Sequence, residues 1–216
     1  MYEKKIKRII DFILSLLALI ILSPIILIIY ILVRIKLGRP VFFKQARPGK
    51  NEKIFTLYKF RTMTNKKDTN GELLPDQDRI TKLGKILRTT SLDELPELIN
   101  IIKGDMSIVG PRPLATKYLP YYNEQEKHRH DVRPGLTGLA QINGRNALNW
   151  EQRFAYDLQY IHNISFINDC KIILKTIKKV LKKEDVITRG TGKNIDFDIY
   201  RQQQKQDEKE ICDHEY

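Results

Sequence analysis

Residues 12–33, FILSLLALIILSPIILIIYILV, form a long apolar segment that carries no charge. As a helix, this segment would extend over roughly 33 Å, and the hydrocarbon core of a bilayer is about 30 Å thick. The segment is too long for a cleaved signal peptide, and no small-x-small cleavage site follows it. It therefore predicts a membrane anchor that the protein retains.

A Ser-Pro pair interrupts this anchor near its middle. Pro24 removes one backbone donor and clashes with the preceding turn, and Ser23 can bond a carbonyl that the break leaves free. Basic residues flank both ends, which favours the cytoplasm for both; they are Lys4, Lys5, Lys7, Arg8, Arg34, Lys36 and Arg39. Two arrangements fit equally well: a broken helix that enters and leaves through one leaflet, and a straight span kinked at proline.

The composition of the 216-residue chain points to an anionic partner. Lys and Arg number 38 against 26 Asp and Glu, and the net charge is +12. Nucleic acid, an acidic membrane and a phosphorylated substrate are all candidates for that partner. Cys170 and Cys212 match no disulfide or metal spacing, so we expect reduced thiols in a cytosolic compartment.

The chain divides at the end of the apolar segment. We predict a membrane unit at 1–38, a globular domain at 39–185, and a polar tail at 186–216 that is disordered at its end. Aromatic and β-branched residues at 41–45 and 54–60 predict a β-hairpin. Helices are predicted at 79–88, 92–102, 114–130, 149–162 and 169–183. The last of these carries six lysines, which suits either an acidic membrane surface or a core helix with a solvated face.

The segment SLDELPELIN, residues 91–100, places two carboxylates side by side. Ser91 followed by Glu94 matches a capping box, and the helix dipole would favour the negative charge of Asp93 in the first turn. A helix cap is the commoner explanation, and a reaction centre is the alternative. Pro96 lies too deep for the favoured first helical position, so it should distort the turn that holds the carboxylates.

Basic residues lie in or beside the patterned segments. Arg112 sits between two prolines, which preorganise it for a phosphate unless it is an ordinary surface arginine. Lys59 and Arg61 share one face of a strand, which is either part of a site or solvated. The glycine-rich stretch 132–146 lets backbone approach a ligand but lacks the spacing of a nucleotide-binding loop. The candidates for substrate phosphate or nucleotide binding are Lys59, Arg61, Arg88, Arg112, Arg133, Arg145 and Asp157.

These residue types suit phosphoryl transfer. That chemistry relies on positioning and on neutralisation of charge by Lys, Arg and Mg²⁺. A carboxylate is ionised at neutral pH and can attack phosphorus without a general base. No DNA- or RNA-binding signature accompanies the basic residues, so nucleic acid is not an expected partner.

Several ordered motifs carry a family resemblance. The apolar start, KFRTM at 59–63, SLDELPELIN, KGDMSIVGPRP at 103–113 and VRPGLTGLAQINGR at 132–145 resemble the bacterial sugar transferases known as monotopic phosphoglycosyl transferases. The chain is similar to their minimal form, that of the enzyme initiating Campylobacter-type N-linked protein glycosylation. The implied fold class is mostly α with a small β-hairpin, in which an N-terminal re-entrant membrane helix, broken at Ser23 and Pro24, joins a compact membrane-associated cytosolic catalytic domain.

The resemblance implies a reaction and a set of roles. A UDP-sugar, expected to be an N-acetylated amino sugar, passes its sugar phosphate to polyprenyl (undecaprenyl) phosphate and releases UMP. Asp93 is the implied nucleophile, Glu94 the Mg²⁺ ligand and Arg112 a phosphate-binding residue. The implied location is the cytoplasmic face of a bacterial inner membrane, where downstream glycosyltransferases would use the product. Leu139 occupies a position where many members of the family have tryptophan.

The alternative hypothesis is a non-enzymatic, membrane-tethered basic adaptor that binds anionic lipid or nucleic acid. It accounts for the charge of +12 and for the anchor. It leaves unexplained why an Asp-Glu pair lies among stiff arginine- and glycine-containing turns. Release of UMP from a UDP-sugar distinguishes the enzyme from the adaptor.

Overall fold

A computed structural model describes residues 2–144, 147–182 and 195–214. The described part is mostly helical and contains two small two-stranded sheets. Its helices are α1 (Lys7–Ile21), α2 (Ser23–Leu37), α3 (Asp76–Arg79), α4 (Lys82–Thr89), α5 (Glu97–Lys103), α6 (Glu124–Lys127), α7 (Leu139–Ile142), α8 (Trp150–His162), α9 (Phe166–Lys182) and α10 (Phe197–His214). Its strands are β1 (Phe42–Pro48), β2 (Ile54–Phe60), β3 (Ser107–Val109) and β4 (Gly135–Thr137).

The apolar segment is a broken helix. Helices α1 and α2 meet at Leu22 with a bend of 63°. Pro24 occupies the first turn of α2, where its missing N–H costs no helical hydrogen bond. Ser23 Oγ donates to the Ile20 carbonyl oxygen at 2.8 Å. In the described residues no single helix has the length and apolar character needed to cross a bilayer, whereas α1 and α2 meet both criteria as a bent pair.

Helix α1 is polar on its buried side and apolar on its exposed side. Lys7, Asp11 and Ser15, spaced four residues apart, are buried against the globular domain. Lys7 pairs with Asp169 at 2.6 Å, and the hydroxyl of Ser107 donates to the Asp11 carboxylate. The apolar residues of α1 and α2 are largely exposed. This distribution is the reverse of a water-soluble helix, where the apolar stripe is buried.

The predicted hairpin is confirmed. Strands β1 and β2 pair antiparallel, with Phe42 opposite Phe60 and Pro48 opposite Ile54. Phe60 is buried together with Val33 of α2 and Leu87 of α4. The hairpin thereby links α2 to the rest of the domain, and it brings Lys59 toward the loop before α5.

Strands β3 and β4 form a parallel pair that was not predicted, because each is only three residues long. The two backbones come very close here. A Cβ added to Gly135 would lie 2.1 Å from the amide nitrogen of Gly110. A Cβ added to Gly138 would lie 2.2 Å from the carbonyl oxygen of Gly110. The glycines of this stretch therefore let backbone approach backbone, in addition to any role toward a ligand.

Gly135→Ala should destabilise the protein by roughly 1–3 kcal/mol, the usual cost of overpacking a tight contact. The clashing atoms are backbone atoms of Gly110 and Thr137, which cannot rotate away as a flexible side chain would. Denaturant unfolding of the purified protein in detergent would measure the change. An unchanged unfolding midpoint would show that the parallel pair is looser than the structure indicates.

Two predicted helices are interrupted. The helix predicted at 114–130 was wrong in extent, because Pro120 confines the first part to a 3₁₀ turn at Thr116–Tyr121 and Asn123 starts α6 with a capping box. The helix predicted at 92–102 splits at Pro96 into a 3₁₀ turn at Leu92–Glu94 and α5. By contrast, the helices predicted at 149–162 and 169–183 correspond closely to α8 and α9.

The polar tail contains a helix, which differs from the disorder that we predicted at its end. Helix α10 extends to His214, and residues 215–216 lie outside the described residues. Its first residue, Phe197, is fully buried in an aromatic cluster with Tyr118, Tyr122, Trp150 and Phe154. Phe197, with the partly buried Tyr200 beside it, docks this mostly polar helix on the domain.

Candidate active site

The Asp-Glu pair lies in the 3₁₀ turn at Leu92–Glu94, which precedes α5. Ser91 does not cap this turn: its backbone is left-handed, with φ 57° and ψ 17°, and its side chain makes no capping hydrogen bond. The predicted capping box is therefore wrong. The left-handed conformation is uncommon outside glycine and costs about 1 kcal/mol or more. Because no capping box forms here, the adjacent carboxylates have no helix-capping role.

Three charged side chains, Lys59, Glu97 and Arg112, converge beside the Asp-Glu pair of this turn. Lys59 Nζ lies 2.6 Å from Glu94 Oε1 and 3.1 Å from Glu97 Oε1. Arg112 Nη2 donates to the same Glu94 oxygen at 2.6 Å. Glu97 and Asp93 are 2% and 8% exposed. Burial of this depth strengthens the interactions between these charges and any ionic substrate.

The carboxylates have divergent acidities. Burial and the neighbouring Glu94 raise the pKa of Asp93 to about 6, although Lys59, Arg88 and Arg112 oppose the rise. Burial alone would also raise the pKa of Glu94, but Arg112 and Lys59 hold it well below its usual range. Burial raises the pKa of Glu97 to about 7. At neutral pH Glu94 is thus a fixed anion and Asp93 is mostly ionised.

The donor set fits Mg²⁺ shared with a substrate. The described residues contain no group of three His, Cys, Asp or Glu side chains arranged to bind a metal. Mg²⁺ usually takes only one or two carboxylates and completes its shell with water and substrate phosphates. Both cationic contacts to Glu94 fall on Oε1. The second oxygen of Glu94 and the Asp93 carboxylate are therefore the available donors.

Two of the other predicted cations, Arg88 and Arg61, have different roles. Arg88 donates from Nε to the Thr62 hydroxyl at 3.0 Å, and its charge lowers the pKa of Asp93. Arg61 is buried and donates to the carbonyl oxygen of Arg39 at 3.0 Å. Arg61 thereby fixes the backbone that follows α2, whereas Arg88 contributes charge to the site.

The remaining predicted site residues lie elsewhere. Arg133 donates from Nε to the Gly104 carbonyl oxygen at 2.8 Å, at the far end of α5 from Asp93. Asp157 is buried in α8 and pairs with Arg129 at 2.8 Å. Arg145 lies outside the described residues. The structure therefore groups Asp93, Glu94, Lys59, Arg88 and Arg112 but not Arg133 or Asp157.

Two residues were missed by sequence reasoning. Glu97 follows Glu94 by three residues and shares its lysine partner, a spacing that places both on one side of a helical turn. Arg129 is 2% exposed, and its Nη2 donates to the carbonyl oxygen of Arg112 at 2.7 Å. Arg129 lies between two histidines in a polar stretch, and nothing in that local sequence predicts its contact with Arg112.

A family model described as bacterial sugar transferase matches residues 2–183. The chain belongs to this family. EpsL of Bacillus subtilis (strain 168), an uncharacterized sugar transferase, is 53% identical over 181 residues, which make up 84% of this chain and 90% of EpsL. The family match at 2–183 includes the segments that form α1, α2 and the charged cluster.

Two similar proteins have names that state a reaction. The undecaprenyl-phosphate galactose phosphotransferase of Salmonella typhimurium is 38% identical over 197 residues, 83% of this chain and 41% of that protein. The UDP-glucose:undecaprenyl-phosphate glucose-1-phosphate transferase of Klebsiella pneumoniae is 43% identical over 183 residues, 80% of this chain and 39% of that protein. These relatives confirm the prediction of a phosphoglycosyl transferase and argue against the non-enzymatic adaptor.

Proposed function

We propose that this enzyme transfers a sugar phosphate from a UDP-sugar to undecaprenyl phosphate through a covalent intermediate on Asp93. One observation carries the proposal. Asp93 is a buried carboxylate under the influence of three cations, Lys59, Arg88 and Arg112. Such a site binds a diphosphate and keeps its own nucleophile ionised at neutral pH.

The proposed reaction has two balanced steps. In the first, an oxygen of Asp93 attacks the β-phosphorus of the UDP-sugar, the bond to the bridging oxygen breaks, and UMP leaves. In the second, an oxygen of undecaprenyl phosphate attacks the same phosphorus and the carboxylate of Asp93 leaves. The product is undecaprenyl-diphosphate sugar. Both nucleophiles are anions before they react, so neither step requires a histidine base.

The cations have distinct parts in this scheme. The side chain of Arg112 is 40% exposed, whereas that of Lys59 is 18% exposed. We infer that Arg112 binds the substrate phosphates and that Lys59 holds Glu94 in place. Mg²⁺ bound to Glu94 would supply charge neutralisation for the leaving UMP oxygen.

A panel of UDP-sugars tests the function and names the sugar. Each sugar is incubated with the enzyme, Mg²⁺ and undecaprenyl phosphate, and UMP is measured. We propose an N-acetylated amino sugar as the preferred substrate because the minimal family members that this chain resembles use one. No UMP from any sugar with folded enzyme would refute the proposed reaction.

Arg112→Ala should lower turnover by roughly a hundredfold with a much smaller effect on stability. Loss of one charge-assisted contact to the transition state costs on the order of 3 kcal/mol. Arg112→Lys, which keeps the charge but loses the planar fork, should fall between the wild type and Arg112→Ala. UMP release at saturating substrate measures the effect. Full turnover in the folded alanine variant would place Arg112 outside the site.

We also propose that α1 and α2 form a re-entrant hairpin in the inner membrane. The exposed apolar faces of both helices support it, as does the bend at Leu22. Helix α9 exposes a second apolar surface to the same kind of environment; its members are Phe166, Ile167, Leu174, Ile177 and Leu181. Together these surfaces suit a protein that inserts into one leaflet with its active site on the cytoplasmic face.

Single cysteines at Lys5 and Lys36 should both react from the cytoplasmic side. The background would carry serine at the two native cysteines, so that only the introduced thiol is labelled. Both positions are exposed and flank the bent pair. Labelling of intact cells and of inverted vesicles with a membrane-impermeant reagent measures the sidedness. Opposite sidedness would indicate a through-span and exclude the hairpin.

A further inference from the structure

The C-terminal helix α10 lies outside the part of the chain that matches the family. The family model ends at residue 183, and α10 begins at Phe197. Even so, the helix is firmly attached to the domain. Phe197 is fully buried, the indole nitrogen of Trp150 donates to the Ile195 carbonyl oxygen at 3.0 Å, and Arg201 pairs with Glu126.

The ring of Phe197 contacts the aromatic groups that surround Arg129. Its centroid lies 5.2 Å from that of Tyr122 and 5.0 Å from that of Phe154. The guanidinium carbon of Arg129 lies 5.6 Å from each of these same two ring centroids. Removing Phe197 would therefore leave a void behind both rings that support the Arg129 side chain.

Arg129 in turn holds the backbone of Arg112. It is buried, with Asp157 accepting from Nε at 3.2 Å and from Nη2 at 2.8 Å. Its Nη1 donates to the Tyr122 hydroxyl at 3.3 Å, and its Nη2 donates to the Arg112 carbonyl oxygen at 2.7 Å. Because Arg112 contacts Glu94 at 2.6 Å, a shift of its backbone displaces the charge that faces the substrate.

A second connection reaches Arg129 through the short helix α6. Glu126 closes the capping box of α6 with Asn123 and also accepts a hydrogen bond from Arg201 of α10. Helix α6 ends at Lys127, two residues before Arg129. Helix α10 thus contacts both the rings beside Arg129 and the helix that leads into it.

We propose that Phe197 is a positioning residue for the sugar-phosphate transfer, acting through Tyr122 and Arg129 on the backbone of Arg112. Residues beyond the family match would in this way complete the active site of this chain. Asp157, which we predicted to bind substrate, then supports the reaction from behind by fixing Arg129. The inference rests on the proposed function, because it assigns Arg112 to substrate binding.

The test compares Phe197→Ala with Ile199→Ala, a control on the same helix whose side chain is 46% exposed. Phe197→Ala should lower turnover roughly tenfold, since misplacement of a binding group by about 1 Å can cost up to a hundredfold. Ile199→Ala should match the wild type. In an Arg112→Ala background, Phe197→Ala should have no further effect on turnover, because its target is already absent.

A second measurement does not depend on catalysis. Amide hydrogen exchange of the peptide spanning residues 108–116 should become faster in Phe197→Ala and remain unchanged in Ile199→Ala. Tyr122→Phe, which removes only the hydroxyl that Arg129 contacts, should change exchange in the same direction and keeps the test available if Phe197→Ala unfolds.

The outcomes separate the two proposals. Wild-type enzyme that releases no UMP would overturn the proposed function. The exchange data would still report on the contacts from Phe197 through Tyr122 and Arg129 to the backbone of Arg112. Active wild type with equal turnover and equal exchange in Phe197→Ala and Ile199→Ala would overturn the role of Phe197. An equal fold-loss of turnover in both Arg112 backgrounds would do the same, because it would show a general effect on structure.

Discussion

Asp93→Asn is expected to abolish turnover almost completely while the protein melts nearly as the wild type does. The substitution preserves the size of the side chain but removes the anionic oxygen that attacks phosphorus. Stability should change little, because Ser91 is left-handed and the turn lacks the capping box that Asp93 would otherwise reinforce. Replacing the buried carboxylate by an amide also removes its repulsion with Glu94.

Asp78→Asn is a matched control. Asp78 lies in the first turn of another short helix and is exposed, so its replacement should leave both turnover and melting unchanged. Turnover is measured as UMP release, and melting by a thermal scan in detergent. An active Asp93→Asn enzyme would refute the nucleophile, and a large loss of stability would return Asp93 to a structural role.

The wild-type enzyme should also show the first half-reaction alone. Given UDP-sugar and Mg²⁺ without undecaprenyl phosphate, it should release about one UMP per active site, as a ping-pong mechanism requires. The Asp93→Asn variant should release none. Mass spectrometry of the wild-type digest should locate the sugar phosphate on the peptide that contains Asp93. Acyl phosphates hydrolyse readily, so the stoichiometry of UMP is the more robust measurement.

Lys59→Met should both inactivate the enzyme and destabilise it by about 3 kcal/mol at pH 8, the lower end of the usual cost of breaking a buried ion pair. Lys59 bridges Glu94 and Glu97, so its loss leaves two buried carboxylates with one fewer cation. Turnover should fall at least as far as in Arg112→Ala, because Glu94, which holds Arg112, loses its contact with Lys59.

The loss of stability should depend on pH in a defined direction. Burial raises the pKa of Glu97 to about 7 even with Lys59 present, whereas an unfolded glutamate titrates near 4.3. The folded state therefore holds more protons between these values, and stability decreases as the pH rises through them. Without Lys59 this decrease should be larger, so Lys59→Met should be less destabilising at pH 5 than at pH 8.

Lys44→Met provides the control for this measurement. Lys44 lies on strand β1 of the same hairpin and is exposed, so the same change of side chain there should alter stability little, and by the same amount relative to the wild type at both pH values. Denaturant unfolding in detergent at the two pH values measures both variants. Equal destabilisation of Lys59→Met at pH 5 and pH 8 would contradict the pairing of Lys59 with ionised carboxylates.

Local patterns were sufficient for part of this fold. Periodicity predicted α8 and α9 because their apolar residues repeat along one face, and alternation predicted β2 with its bounds. The Asp-Glu pair, Lys59 and Arg112 could be proposed as a group because stiff or patterned segments carry each of them. In the structure Lys59 and Arg112 both contact one oxygen of Glu94, and their charges also act on the neighbouring Asp93.

Other features depend on contacts between distant residues. The parallel pair of β3 and β4 joins segments of three residues each, which are too short for any alternation to register. The left-handed Ser91 has no sequence marker, since serine usually caps a helix. Asp157 was correctly placed on a helix, but its pairing with Arg129 depends on tertiary packing. Polar composition likewise concealed α10, whose docking centres on the buried Phe197.

The buried polar side of α1 has a consequence for how the protein is made. Lys7 and Asp11 leave the ribosome long before their partners, because Asp169 follows Lys7 by 162 residues and Ser107 follows Asp11 by 96 residues. Until then two charged groups within an apolar helix lack the contacts that make their burial acceptable. Helix α1 therefore gains the partners of its buried polar side only after nearly the whole domain has been translated, so it settles late although it is translated before them.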